Sequence, residues 1–268
     1  MGVSSPHPVV RRERRNAIFF VESKQPAGTI AVITHELSRY ADFSISMTSV
    51  QAPPHSQILW HKGVEIASGL NMIIRHMIGE WLFILGDDHV FKPDIIFKLL
   101  ELDVDIVAPV CSNRTYPHLP VVFKERIEGG KFNRMLWTEI PHNQLFEVAA
   151  SGTAGMLIRK RVLDAVGDPW FECGQTKSDN LGEDLWFCSK SIDKGFKVHV
   201  HSGIAIGHIT PATIWPYFVE GKLTPLANFN GNEDFWVRLD QGLAPIKAEP
   251  PAKAPSEEPV QAIPQPES

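Results

Sequence analysis

Two patterns of apolar positions alternate along this chain. Short, nearly continuous apolar runs recur, and stretches with helical spacing lie between them. Ala17-Ile18-Phe19-Phe20-Val21 predicts a first strand within Asn16–Ser23, ending at Glu22-Ser23. Gln25-Pro26-Ala27-Gly28 breaks that run, and Thr29–Tyr40 is expected as helix. Phe43, Ile45 and Met47 alternate with polar neighbours, which predicts a second strand over Phe43–Val50, ended by Pro53-Pro54. Val64, Ala67, Leu70, Ile74 and Met77 predict a helix over Gly63–Ile78. Trp81–Leu85 is apolar throughout and reads as a strand buried on both faces. Lys92-Pro93-Asp94 opens a further helix with Ile95, Ile96, Leu99, Leu100 and Leu102 inward, and Val104–Val110 follows as another buried strand.

Strand–helix units repeated in this way predict an α/β fold with a doubly wound, mostly parallel sheet. Residues 111–150 are less regular and carry a hairpin turn at Gly129-Gly130. Beyond them, strands are expected at Ala154–Ile158 and Lys197–His201, and helices at Val162–Val166 and Asp184–Lys194. Ile204-Ala205-Ile206 then leads into Gly207-His208. The expected organisation is a flexible basic leader over 1–15, one domain over 16–243, and a disordered tail over 244–268. The leader holds Arg11, Arg12, Arg14 and Arg15; the tail is rich in proline, alanine and glutamate.

Composition narrows the function. A hydrophobic fraction of 43% supplies a substantial core, and a formal net charge of -5 argues against a general nucleic-acid binder. The three cysteines show no paired spacing, which fits a reducing, cytoplasmic setting. No apolar run approaches the roughly 18 residues of a membrane span. The apolar run after the arginines is shorter than a signal-peptide core of about 7–15 residues.

The candidate chemistry follows the buried strand at once, as Gly86-Asp87-Asp88-His89. Ligands of open α/β sheets bind at the carboxyl ends of the strands. Adjacent carboxylates there call for a cation, and a divalent ion holding a phosphate is the natural candidate. His89 either joins this group or points into the protein. Gly182-Glu183-Asp184 opens a helix; its acids either complement the helix dipole or supply a general base. His208, after an apolar strand, is either structural or a ligand for an ion such as Mn²⁺. Ser151-Gly152-Thr153-Ala154-Gly155 is either a tight turn or a close approach of backbone to ligand. No phosphate-binding P-loop, dinucleotide fingerprint or Gly-x-Ser-x-Gly nucleophile motif is present.

Over roughly residues 16–210 the chain resembles glycosyltransferases of the GT-A fold, in particular family 2-like proteins of bacteria and phages. Ile84–Asp94 is similar to the family's Asp-x-Asp segment and its following phenylalanine and proline. Gly86 stands where the first aspartate would be, so the motif is DXD-like only. The resemblance implies a nucleotide-sugar site at the strands' carboxyl edge, with Mn²⁺ (or Mg²⁺) held by Asp88 and His208. It implies Asp184 as base, beside Glu183, in an inverting transfer, and donor contacts from Glu22, Ser23, Asn71, Asp87, Gly152 and Thr153. Asn71 matches the asparagine of an Arg-Asn pair whose arginine is Leu70 here. The nucleobase-contacting aspartate expected after the second strand is missing from Thr48-Ser49-Val50-Gln51. Trp170, Phe171 and Trp186 either stack on a sugar or belong to the core. The expected activity is metal-dependent, hexosyltransferase-like transfer from a nucleotide sugar, UDP-linked by preference, to a carbohydrate or other hydroxyl. The alternatives are a nucleotidyltransferase or a degenerate nucleotide-sugar binder.

Overall fold

The structure is a computed structural model that describes residues 19–34, 40–63, 65–115, 117–176, 180–219, 222–229 and 236–238. The expected leader and tail lie outside the described residues. The chain divides into two compact units, Met1–Pro211 and Ala212–Ser268.

The first unit is built on a seven-stranded sheet. Its elements, in chain order, begin with β1 (Thr29–Thr34), α1 (Ala41–Ser49), β2 (Gln57–Lys62) and α2 (Ile66–Arg75). β3 (Trp81–Gly86), the short β4 (His89–Val90), α3 (Ile95–Leu100) and β5 (Ile106–Val110) follow. β6 (Leu145–Val148), β7 (Leu157–Arg159), α4 (Lys160–Val166), α5 (Glu183–Asp193), β8 (Val198–Ala205) and the short β9 (Gly207–His208) complete it. The sheet order is β6-β8-β5-β7-β3-β1-β2. β2, β1 and β3 run parallel, as do β5 and β8, whereas β7 is antiparallel to both of its neighbours, β3 and β5. β6 closes the sheet antiparallel to β8.

Side chains alternate between the two faces of the sheet. Ala31, Ile33, Leu82 and Ile84 pack with Ala67, Leu70, Ile73 and Ile74 of α2, and the same cluster takes in Val162 of α4 and Phe187 of α5. Ile30, Val32, Trp81, Phe83 and Leu85 face the other way, onto Phe43 and Met47 of α1 and Ile95, Ile96 and Leu99 of α3. Burial on both faces explains the apolar runs of β1 and β3.

Three expectations near the N-terminus are corrected. Thr29–Thr34 is a central strand, not a helix, and every one of its residues is buried. Its run Ile30-Ala31-Val32-Ile33 suits the pleated, doubly covered position between β2 and β3. Ala41–Ser49 is a helix, not a strand. Phe43 and Met47 are one helical turn apart and buried, while Ile45 is 64% exposed. The expected first strand reduces to Phe19–Phe20, parallel to Gln51–Ala52 and outside the main sheet. The second strand of the main sheet is therefore β2, followed by Gly63, and not the segment before Gln51.

Beyond β5, Val122–Arg126 pairs antiparallel with Phe132–Arg134 and with Ala150–Ser151, and Gly129-Gly130 lies in the intervening turn. The expected strand at Ala154–Ile158 begins only at Leu157. The second unit holds three antiparallel strands, Ala212–Val219, Lys222–Phe229 and Trp236–Arg238, with Pro216 opposite Pro225. No described helix is long and apolar enough to cross a membrane.

The correction at α1 is testable by urea unfolding. Phe43→Ala should lower stability by about 3–5 kcal/mol, whereas Ile45→Lys should change it by less than about 0.5 kcal/mol. Similar losses for both would mean that Ile45 is buried and the segment is not this helix.

Candidate active site

The carboxyl ends of the parallel strands and the start of the antiparallel β7 share one edge of the sheet. A cavity of about 370 Å³ opens there. Ile33 of β1, Gly63 after β2, Gly86–His89 after β3 and Cys111 and Arg114 after β5 contribute to its wall, as does His208 of β9. The chain approaching β7 adds Ser151–Ala154, and the first turn of α5 adds Asp184.

Asp88 is the centre of the polar wall. β9 pairs antiparallel with β4, so that His208 stands opposite His89, and their rings are 5.1 Å apart, edge to face. The Asp88 carbonyl accepts from the Ile209 amide at 2.8 Å, which ties the acidic turn to the β9 strand. His208 Nε2 lies 3.2 Å from Asp88 Oδ2, and Arg114 Nη1 lies 3.0 Å from the same oxygen. His89 Nε2 lies 3.6 Å from Asp88 Oδ1. Burial raises the Asp88 carboxyl, but the His208 hydrogen bond and the charges of His89, His208 and Arg114 outweigh it and hold it at about 2. Burial lowers His208, and its bond to Asp88 outweighs that and raises it to about 10. Burial dominates at His89 and lowers it to about 4.

Asp88, His89 and His208 each offer a ligand atom within 4.8 Å of the others. Their second nitrogens separate the two histidines. His208 Nδ1 donates to the Ser112 carbonyl at 2.8 Å, so Nε2, which donates to Asp88 in the ion-free site, is the nitrogen that would give its lone pair to an ion once its proton is displaced. His89 Nδ1 accepts from the Gly86 amide at 2.9 Å, so its proton sits on Nε2, facing Asp88. The donor set therefore fits a divalent ion at Asp88 and His208, with His89 as a buttress of the carboxylate. Gly86 makes this packing possible. A Cβ there would lie 2.8 Å from Asp88 Oδ1 and 3.3 Å from the His89 ring.

Asp184 lies in the first turn of α5, and its Oδ1 accepts from the Leu185 amide at 2.7 Å. Burial, then the neighbouring charge of Glu183, pushes its carboxyl up to about 6. Gly152 sits against it: an added Cβ would lie 3.7 Å from Asp184 Oδ2 and 2.7 Å from Val121 Cγ1. The hydroxyl of Ser151 donates to the Val121 carbonyl, which fixes this approach.

The structure thus brings Asp87, Asp88, Gly152, Thr153, Asp184 and His208 to one cavity. Glu183 precedes Asp184 at half-burial but is not among the lining residues. Glu22 and Ser23 are exposed and outside it, because the strand they follow is not part of the main sheet. Asn71 is also outside it. Its amide donates to the Phe171 carbonyl at 2.7 Å and accepts from the Phe171 amide at 3.0 Å. Phe171 in turn stacks on Phe187 of α5, with ring centroids 4.5 Å apart. Phe171 is therefore core, and Trp170 and Trp186 donate their indole N–H groups to Leu163 and Glu172 rather than lining the cavity. Arg114 had no mark in the sequence, since only the fold carries it to Asp88.

Residues 45–220 match the family described as Glycosyltransferase like family 2. The match spans well over half of the chain, and the chain belongs to that family. As a member of that family it is a glycosyltransferase, which sets aside the nucleotidyltransferase alternative. No curated protein matches the chain significantly. Among solved structures it is similar to A197 from STIV, at 16% identity and TM-score 0.44, covering 75% of this chain and 90% of that one. It is similar to GalNAc-T7 with UDP, GalNAc and Mn²⁺, at 11% identity and TM-score 0.45, covering 75% of this chain and 46% of that one. It is also similar to the mannosyltransferase PcManGT from Pyrobaculum calidifontis with GDP-Man and Mn²⁺, at 14% identity and TM-score 0.41. That likeness covers 69% of this chain and 58% of the other.

The Asn71 geometry has a direct consequence. Asn71→Ala orphans a buried amide and a buried carbonyl, at about 1–3 kcal/mol for each group. A lowered melting temperature is expected, with nucleotide affinity below the transition unchanged in calorimetry. A loss of affinity without a loss of stability would return Asn71 to the donor site.

Proposed function

We propose that this glycosyltransferase is metal-dependent and inverting, with Asp88 and His208 holding Mn²⁺ or Mg²⁺ and Asp184 acting as base. The observation that carries the reading is the shared cavity, with an ion-ligating pair on one wall and a carboxylate raised to about 6 on another. A bound ion would serve as a Lewis acid toward the departing nucleoside diphosphate.

The residues' own roles follow from their surroundings. His208, His89 and Arg114 hold the Asp88 carboxyl well below the usual carboxylate range against the effect of burial, so it carries its charge near neutral pH without an ion. His208 presents Nε2 because the Ser112 carbonyl holds the proton of Nδ1. Asp87 and the backbone at Gly152-Thr153 are positioned for the donor, since both line the same cavity. Asp184 takes the proton of the acceptor hydroxyl as that oxygen bonds the anomeric carbon and the bond to the diphosphate breaks. A carboxyl near 6 is a stronger base than an exposed one and is still mostly ionised at pH 7. Burial, and after it the charge of Glu183, maintains that basicity. The acceptor is a carbohydrate or another hydroxyl, and a UDP-sugar is the favoured donor. The cysteines Cys111, Cys173 and Cys188 are free, in keeping with a cytoplasmic setting.

Gly86 favours one other reading, a degenerate binder, because the position lacks the carboxylate of the family's segment. A thermal-shift screen of UDP-, GDP-, CMP- and dTDP-sugars with and without Mn²⁺ separates the two. Stabilisation by one nucleotide class that requires Mn²⁺ is the expected result. Stabilisation without any product formed would support the degenerate binder.

Asp184→Asn should reduce turnover by about 10²–10⁴-fold while donor affinity is retained. In the unaltered protein the loss of base on acidification sets the profile. Turnover should fall about tenfold per unit below pH 6, as Asp184 becomes protonated, and level off above it. A profile flat from pH 5 to 8 would remove Asp184 from the role of base. Gly86→Asp, which restores the missing carboxylate, should weaken Mn²⁺ binding in a metal titration rather than improve it. The new side chain would enter the space of Asp88 and His89.

A further inference from the structure

We infer that Arg114 is a phosphate-binding residue of this site, held on Asp88 until an ion and a diphosphate arrive and then transferred to the diphosphate. The inference rests on the metal reading above and extends it to a residue that neither sequence motif nor family segment marks.

Charge is the first argument. Three carboxylates line the cavity, from Asp87, Asp88 and Asp184, and they face the space a dianionic diphosphate would occupy. Among the described residues lining it, Arg114 alone carries a guanidinium or ammonium group. A guanidinium fork suits phosphate oxygens as well as it suits a carboxylate.

Competition is the second. Arg114 Nη1 and His208 Nε2 both point at Asp88 Oδ2, at 3.0 and 3.2 Å. An ion ligated by that carboxylate would stand within a few ångströms of the guanidinium, and the two cations would repel. One of them must leave. The Arg114 side chain is 44% exposed and Asp88 only 15%, so the arginine is the partner with room to move. Its nearest new anion is the diphosphate that the ion brings with it.

Swapping partners in this way leaves Asp88 with a cation beside it in both states. Without ligand, Arg114 pairs with the half-buried Asp88. With ligand, the ion takes over Asp88 and the arginine balances the diphosphate, so neither charge is left buried and unpaired.

The experiment compares the unaltered protein with Arg114→Met and Arg114→Lys in two binding measurements. Electron paramagnetic resonance titration reads Mn²⁺ alone. Calorimetry reads UDP and inorganic pyrophosphate, in Mn²⁺ and in EDTA. Arg114→Met should bind Mn²⁺ alone as tightly as before or up to about fivefold more tightly, the size of an exposed ion pair. It should bind UDP and pyrophosphate in Mn²⁺ about tenfold or more weakly. Arg114→Lys should fall between the two. Mn²⁺ affinity kept or raised while UDP affinity falls is the signature, because a merely structural arginine would weaken Mn²⁺ and UDP together when removed. Equal UDP affinity in all three proteins, or joint loss of Mn²⁺ and UDP, overturns the inference. Absence of Mn²⁺ binding to the unaltered protein overturns the metal reading instead. The EDTA series then decides for Arg114: pyrophosphate bound by the unaltered protein and more weakly by Arg114→Met keeps it at the phosphate site, and pyrophosphate bound equally by both removes it.

Discussion

The site depends on keeping one carboxylate ionised while it is largely withdrawn from water. Asp88 sits at the end of a strand that is buried on both faces, and isolation there would favour its neutral form. Three side chains from separate parts of the chain prevent this. His89 comes from the same turn, Arg114 from the loop after β5, and His208 from the strand that pairs with β4. The two paired strands, β4 and β9, are only two residues each, yet their pairing sets His208 beside Asp88.

The sheet topology explains why these groups meet. Five strands run in one direction, so their carboxyl ends gather at one edge. β7 runs against them, between β3 and β5, so it is its beginning that reaches the same edge. The backbone at Ser151–Ala154 therefore enters the cavity from the opposite chain direction. α5 follows the same logic. Phe187 and Cys188 anchor it in the core against the Ala150–Ser151 strand, and its first turn projects Asp184 past Gly152. Asp184 and the Asp88–His208 pair are thus set by different layers of the fold. The Asn71–Phe171 clamp extends this chain of contact from α2 through Phe171 to Phe187.

Much of the architecture was legible in the sequence where one element's own burial dictated its pattern. Trp81–Leu85 is apolar at every position because both faces are covered, and α2 carries its apolar residues at helical spacing because one face is. Where a pattern was short, it misled. Phe43, Ile45 and Met47 satisfy a strand's alternation, and Phe43 with Met47 satisfies a helical turn equally well. Only the exposure of Ile45 distinguishes the two. Thr29–Thr34 was missed for a related reason. Four apolar residues in a row fit a buried strand or the face of a helix, and length alone could not decide between them. That shift moved the first sheet strand and with it the expected position of Glu22 and Ser23.

By itself the sequence determined the α/β class, the acidic turn at the end of a buried strand, the acid pair opening α5 and the family to which these belong. Each is a local pattern, imposed on a segment by its own exposure to core and solvent. Tertiary structure alone decided which polar groups meet. His208 reaches Asp88 across 120 residues, and Arg114 reaches it from another loop. Asn71 turned inward to a backbone, and His89 and His208 received opposite partners at Nδ1, an amide donor for the first and a carbonyl acceptor for the second. Such pairings leave no trace in either segment, because each residue alone is compatible with many partners. Only the closing of the sheet selects one.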